Sequence, residues 1–133
     1  MYLLDTNVVS DIQRRLPKPT AWLASADPSS ISLSVITLGE IERGIAKQRQ
    51  TEPERAARLD IWLRELRRDN ADRILAITEE IALVWGRITA GRTRSSADSL
   101  IAATALVHDL ILVTRNVADF EDFGLTVVNP WES

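Results

Sequence analysis

The chain has no cysteine and one histidine, His108. The first absence removes a disulfide framework and any thiolate metal site, and fits a reducing compartment. The second rules out a histidine-rich metal site. No apolar run approaches the ~20 residues that a bilayer span requires. No basic segment followed by an apolar stretch opens the chain, so a secretory signal is not expected and a cytoplasmic, non-membrane protein is. Internal repeats, low-complexity segments and linkers are also missing. What remains is 133 residues with 45% hydrophobic and 26% charged content, which reads as one globular domain over 1–133.

The net charge of −3 argues against generic nucleic-acid binding, but its distribution is uneven. Residues 43–68 carry eight Arg or Lys against four acids, and Arg87, Arg92 and Arg94 follow with no acid between them. Residues 98–133 hold six acids and a single base, Arg115. Such a chain can place a basic rim beside an acidic pocket, although Arg43 to Arg68 also suits a solvated helix face.

Tyr2-Leu3-Leu4 is apolar without alternation, as in a short strand buried on both faces. It stops at Asp5, and Thr6-Asn7 leads into Val8, Val9 and Ile12 at helical spacing. Asp5 is therefore expected at the carboxyl end of a strand, where open α/β sheets bind ligands; a helix cap is its simpler role. Further strands are expected at Ile31 to Leu33, Ile74 to Ile77, Ile111 to Val113 and Thr126 to Val128. Between them lie a short helix opened by Pro19, a helix capped by Ser34, one begun by a Thr51/Glu54 capping box, one from Thr78 to Gly91, and an alanine-rich one from Ala97 to Asp109 capped by Ser96. The alternation predicts α/β architecture: a three-layer α/β/α sandwich around a parallel sheet of about five short strands.

On this plan Asp5, Glu40, Asp98 and Asp119 fall on one side of the sheet, because helices run antiparallel to the strands and begin at the strands' carboxyl ends. A carboxylate pair ~5 Å apart costs on the order of 3 kcal/mol at an effective dielectric of 20, so the cluster needs protons or a cation. Oxygen ligands alone point to Mg²⁺ or Mn²⁺, the usual equipment for directing water at a phosphodiester. Thr6, Thr114 and Asn116 are placed to orient the carboxylates or a phosphate, and Arg43, Lys47, Arg87, Arg92 and Arg94 to form a basic rim that would meet a phosphodiester backbone. A strand-end-Asp phosphatase lacks its second acid, since position 7 is asparagine. A non-catalytic assembly or operator-binding module, or a receiver-like domain, is the other alternative.

The segments Leu3-Leu4-Asp5-Thr6-Asn7, Thr37-Leu38-Gly39-Glu40-Ile41-Glu42-Arg43-Gly44, Asp98-Ser99-Leu100-Ile101-Ala102-Ala103-Thr104-Ala105 and Leu112-Val113-Thr114-Arg115-Asn116, with Asp119-Phe120, resemble the PIN-domain ribonucleases. The likeness is nearest to the VapC/FitB-like toxins of bacterial toxin–antitoxin modules, and it runs the length of the chain. It implies a PIN fold, Mg²⁺- or Mn²⁺-dependent endonuclease activity on structured RNA such as tRNA, and a homodimer. It also implies a cognate antitoxin that blocks the site, with operator DNA bound only by the toxin–antitoxin complex. The family's acids fall on Asp5, Glu40 and Asp98. The fourth is less fixed in position; Asp119 is assigned to it and Asn116 to a supporting role. Trp22 and Ile45 are expected to line the antitoxin groove, and Trp62 to lie in the core.

Overall fold

The computed structural model describes residues 1–132. The strands are β1 (Tyr2–Leu4), β2 (Ile31–Ser34), β3 (Ile74–Leu75), β4 (Ile111–Val113) and β5 (Val127–Val128). The helices are α1 (Thr6–Gln13), α2 (Pro17–Ser25), α3 (Val35–Gln48), α4 (Pro53–Asp69), α5 (Glu79–Thr89) and α6 (Ser96–His108). All strands pair in parallel, in the order β3-β2-β1-β4-β5. The chain winds outward from β1 in one direction and then resumes on its other side with β4. The crevice between β1 and β4 is thus the topological switch point, where α/β sheets open a ligand site.

The period-two alternation of a strand explains how three residues serve two cores. Leu3 and Leu112 are fully buried against Ile101, Ala102 and Ala105 of α6. Their neighbours Leu4 and Val113 face the other way, onto Val8, Val9, Ile31 and Leu33, with Trp62 and Leu66 packed over them. The alanines of α6 let that helix approach the sheet closely. A third cluster joins Ile45 of α3 to Ala56 and Leu63 of α4. Truncating a side chain such as Leu3 to alanine would cost about 2–5 kcal/mol at sites of this kind.

Several local expectations shift. α2 starts at Pro17 rather than Pro19, with extended Leu16 as its cap; a proline is tolerated at the first helical position because its missing N–H would be unbonded there. The Thr51/Glu54 capping box does not form. Pro53 makes Glu52 the N-cap, without a side-chain bond, so Thr51 sits one residue too early to reach the helix. Ser95, not Ser96, caps α6 by accepting from the Asp98 amide. Ile77 and Thr126 lie outside β3 and β5. Gly91 follows the end of α5 with a left-handed φ of 73°, as expected of a helix stop. Ile45, expected in a groove, is 1% exposed and packed beneath α4, yet it does line a cleft shared with Glu40 and Trp62. Trp62, expected in the core, is only half-buried and faces two clefts.

Candidate active site

Asp5 is placed by backbone bonding before its side chain does anything. Its amide donates to the Val113 carbonyl at 2.9 Å, continuing the β1–β4 ladder, and its own carbonyl accepts the first amides of α1. The side chain is 3% exposed. Oδ1 accepts from the Thr6 amide at 2.8 Å, so Asp5 does cap the helix. Oδ2 accepts from the Thr114 hydroxyl at 2.7 Å and from the Asn7 amide nitrogen at 3.2 Å. The cap role and the site role therefore coexist in one carboxylate.

Glu40 lies in the second turn of α3, half-buried, and its Oε1 accepts from the Thr6 hydroxyl at 2.6 Å. That hydroxyl is also 3.1 Å from the hydroxyl of Thr37, which is fully buried. Thr6 thereby links the cap of α1 to α3. Asp98 sits in the first turn of α6, half-buried. Asp119 is exposed at the end of the 3₁₀ turn Val117–Asp119.

These acids act on one another through charge. Burial pushes the Asp5 carboxyl up from an ordinary 3.8 to about 6. The bonds from Thr114 and Thr6 oppose the rise, and the charges of Asp98 and Glu40 add to it. The Asp98 carboxyl is also raised, first by burial and then by the charges of Glu40 and Asp119. Each acid expected at the site is thus electrostatically coupled to at least one other. Among the described residues, no three acidic side chains gather closely enough to form a ready-made ligand cage. The donor set is all oxygen, and two of its members resist ionisation. That fits a hard cation retaining several waters, as Mg²⁺ does.

Of the supporting residues, Thr6 and Thr114 contact carboxylates directly. Asn116 donates its backbone amide to the Thr114 hydroxyl at 3.1 Å, so it acts on Thr114 rather than on an acid. Arg43 and Lys47 stand exposed one turn apart on α3, and Arg87 is exposed in the last turn of α5; none has an ion pair among the described residues. Arg92 and Arg94 are also exposed, but both pair with Asp122.

Three site residues escape a reading of the sequence. Asn7, there only a capping candidate, donates to Asp5 and Thr114 and accepts the Arg115 amide at 3.3 Å. Thr37 is the buried partner of Thr6. Asp11 is wholly buried and accepts from Arg14, from Arg115 and, at 3.1 Å, from the Trp131 indole. A signal for Asp11 exists: it follows Val8 by three residues and so falls within the apolar stripe of α1, where a solvated acid would not stand.

The chain and its fold are similar to known proteins. The chain is 35% identical to the toxin FitB of Neisseria gonorrhoeae over 98% of its own length and 99% of the relative's. It is 30% identical to a VapC ribonuclease of Sinorhizobium fredii over 99% of each. Its fold superposes on the crystal structure of FitAcB from Neisseria gonorrhoeae with a TM-score of 0.90 at 34% identity, covering 100% of both chains. It also superposes on a toxin–antitoxin complex from Klebsiella pneumoniae with a TM-score of 0.70 at 26% identity, again over 100% of both. The PIN domain model matches residues 2–124, and with five parallel strands in the order β3-β2-β1-β4-β5, this chain belongs to the PIN domain family.

Proposed function

We propose that the chain is a Mg²⁺- or Mn²⁺-dependent endoribonuclease and the toxin of a bacterial toxin–antitoxin module, acting on structured RNA such as tRNA. The observation that carries this reading is the buried Asp5 carboxylate at the β1–β4 switch point, held by Thr114 and Asn7 and linked through Thr6 to Glu40, in a chain with no cysteine and one histidine. Asp5, Asp98, Glu40 and Asp119 would hold the cation. When bound, it supplies the positive charge that acidifies water and offsets the charge developing on a phosphodiester.

The chain's own residues prepare that site. Thr114, Asn7 and the Thr6 amide fix both Asp5 oxygens, and the Thr6 hydroxyl fixes one Glu40 oxygen, so the carboxylates need little reorganisation. Arg43, Lys47 and Arg87 are the exposed cations on which an RNA backbone would lie, whereas Arg92 and Arg94 are engaged by Asp122. An apolar cleft of about 230 Å³, lined by Leu4, Ile12, Leu23, Trp62 and Leu66 among others, shares Trp62 with a second cleft of about 230 Å³ that reaches Thr6 and Glu40. These two clefts on either side of Trp62 are where an antitoxin segment would lie, bringing a basic side chain to the acids. A homodimer, and operator DNA bound only together with the antitoxin, complete the reading.

The test is cleavage of structured RNA by purified chain with Mg²⁺ or Mn²⁺ and with chelator. Glu40→Gln and Asp98→Asn should each lower cleavage at least about a hundredfold while circular dichroism stays unchanged. Equal cleavage in chelator would refute the metal-dependent reading.

A further inference from the structure

Arg92 and Arg94 do not extend into solvent as RNA-contacting arginines would. Both bend onto one acid, Asp122, which lies 28 residues beyond Arg94 in sequence. Arg92 Nη1 is 3.2 Å from the Asp122 carboxylate and also donates to the Asp122 carbonyl at 3.1 Å. Arg94 Nη2 pairs with the same carboxylate, and its Nη1 donates to the carbonyl of Asp119. The two guanidinium carbons lie 5.3 and 5.4 Å from the centre of the Phe123 ring, within cation–π range. Phe123 and Phe120 are themselves buried against α6.

We propose that Arg92, Arg94 and Asp122 form a positioning clamp that ties the segment carrying Asp119 to the start of α6, the helix that carries Asp98; this rests on the nuclease reading above. Arg94 stands just before Ser95, the residue that caps the helix turn carrying Asp98. The segment it grips carries Asp119. Arg94 thus spans the two segments directly, from the residue before the α6 cap to the Asp119 carbonyl and the Asp122 carboxylate. Phe120 and Phe123 root the Asp119 segment in the core, and the arginines fix its polar upper edge. The guanidinium fork suits this work because it binds a carboxylate and a carbonyl at once. The arginines thus act through the Asp119 backbone, not on substrate.

Two variants separate this role from RNA contact by opposite signs. Asp122→Ala removes one negative charge and releases two arginines, so charge alone would strengthen RNA binding. Arg92→Lys with Arg94→Lys keeps both charges and loses the fork. The clamp requires that, in metal-free protein, amide exchange over residues 117–123 quickens in both variants. It also requires that Mn²⁺ affinity of the RNA-free chain, read by calorimetry, falls about tenfold. The salt dependence of RNA binding in chelator should be unchanged in the lysine variant. Unchanged exchange overturns the clamp, and so does unchanged Mn²⁺ affinity with weakened RNA binding, which returns the arginines to the RNA face. A wild-type chain that neither binds Mn²⁺ nor cleaves RNA overturns the nuclease reading, and the clamp's part in it; the exchange measurement still reports whether the segment is held.

Discussion

Replacing Asp5 by asparagine should stabilise the metal-free protein, and only above a definable pH. The Asp5 carboxyl is raised from 3.8 to about 6, chiefly by burial. A raised acid binds its proton more tightly in the folded state than in the unfolded one. Stability therefore falls as pH rises between those two values and stays reduced above the higher. The interval corresponds to about 3 kcal/mol. An amide carries no such cost, but it has a local one. Its oxygen can keep the Thr6 amide bond, while its nitrogen would face the Asn7 nitrogen, a second donor, in place of the oxygen that now accepts from it. That mismatch costs about 1–2 kcal/mol and does not depend on pH. Urea unfolding in chelator should then find Asp5→Asn less stable than wild type near pH 4 and more stable by about 1–2 kcal/mol at pH 7.5. The difference between variant and wild type should change by about 2.5 kcal/mol between the two pH values. A constant difference would mean that Asp5 is not strained by its surroundings, and the case for a cation at this carboxylate would lose its physical basis.

Thr114→Val removes the hydroxyl that lowers the Asp5 carboxyl, so carboxyl carbon NMR should show Asp5 titrating at higher pH than in wild type; an unchanged or lower midpoint would contradict the bonding described. Asp119→Asn should lose more cleavage than Asn116→Ala, because a carboxylate contributes charge and Asn116 reaches the site only through its backbone; single-turnover rates in the reverse order would make Asn116 the metal-side residue. Asp11→Asn should destabilise the fold by about 3 kcal/mol in urea, the low end for breaking a buried ion pair, since Arg14 and Arg115 are half-exposed and can turn to water. A loss below about 1 kcal/mol, the scale of surface ion pairs, would show that the network contributes little.

Sequence alone determined the features that local rules control. Tyr2-Leu3-Leu4 had to be a strand buried on both faces, so Asp5 had to mark its end, and the spacing of Leu38, Ile41 and Ile45 put Glu40 at the edge of a buried stripe. Those inferences need only the periods of strand and helix and the chemistry of capping. Which strands are neighbours is a different kind of fact. β1 meets β4 across more than a hundred residues, and only that pairing brings Thr114 to Asp5 and Arg115 to Asn7. Asp11 stands in the apolar stripe of α1, but its partners Arg115 and Trp131 come from the far end of the chain. Charge patterning likewise cannot show that Asp122 lies folded against Arg92 and Arg94. Hydrophobic periodicity is written residue by residue, whereas a hydrogen bond or ion pair between distant segments exists only once the sheet order has set which strand ends share a crevice.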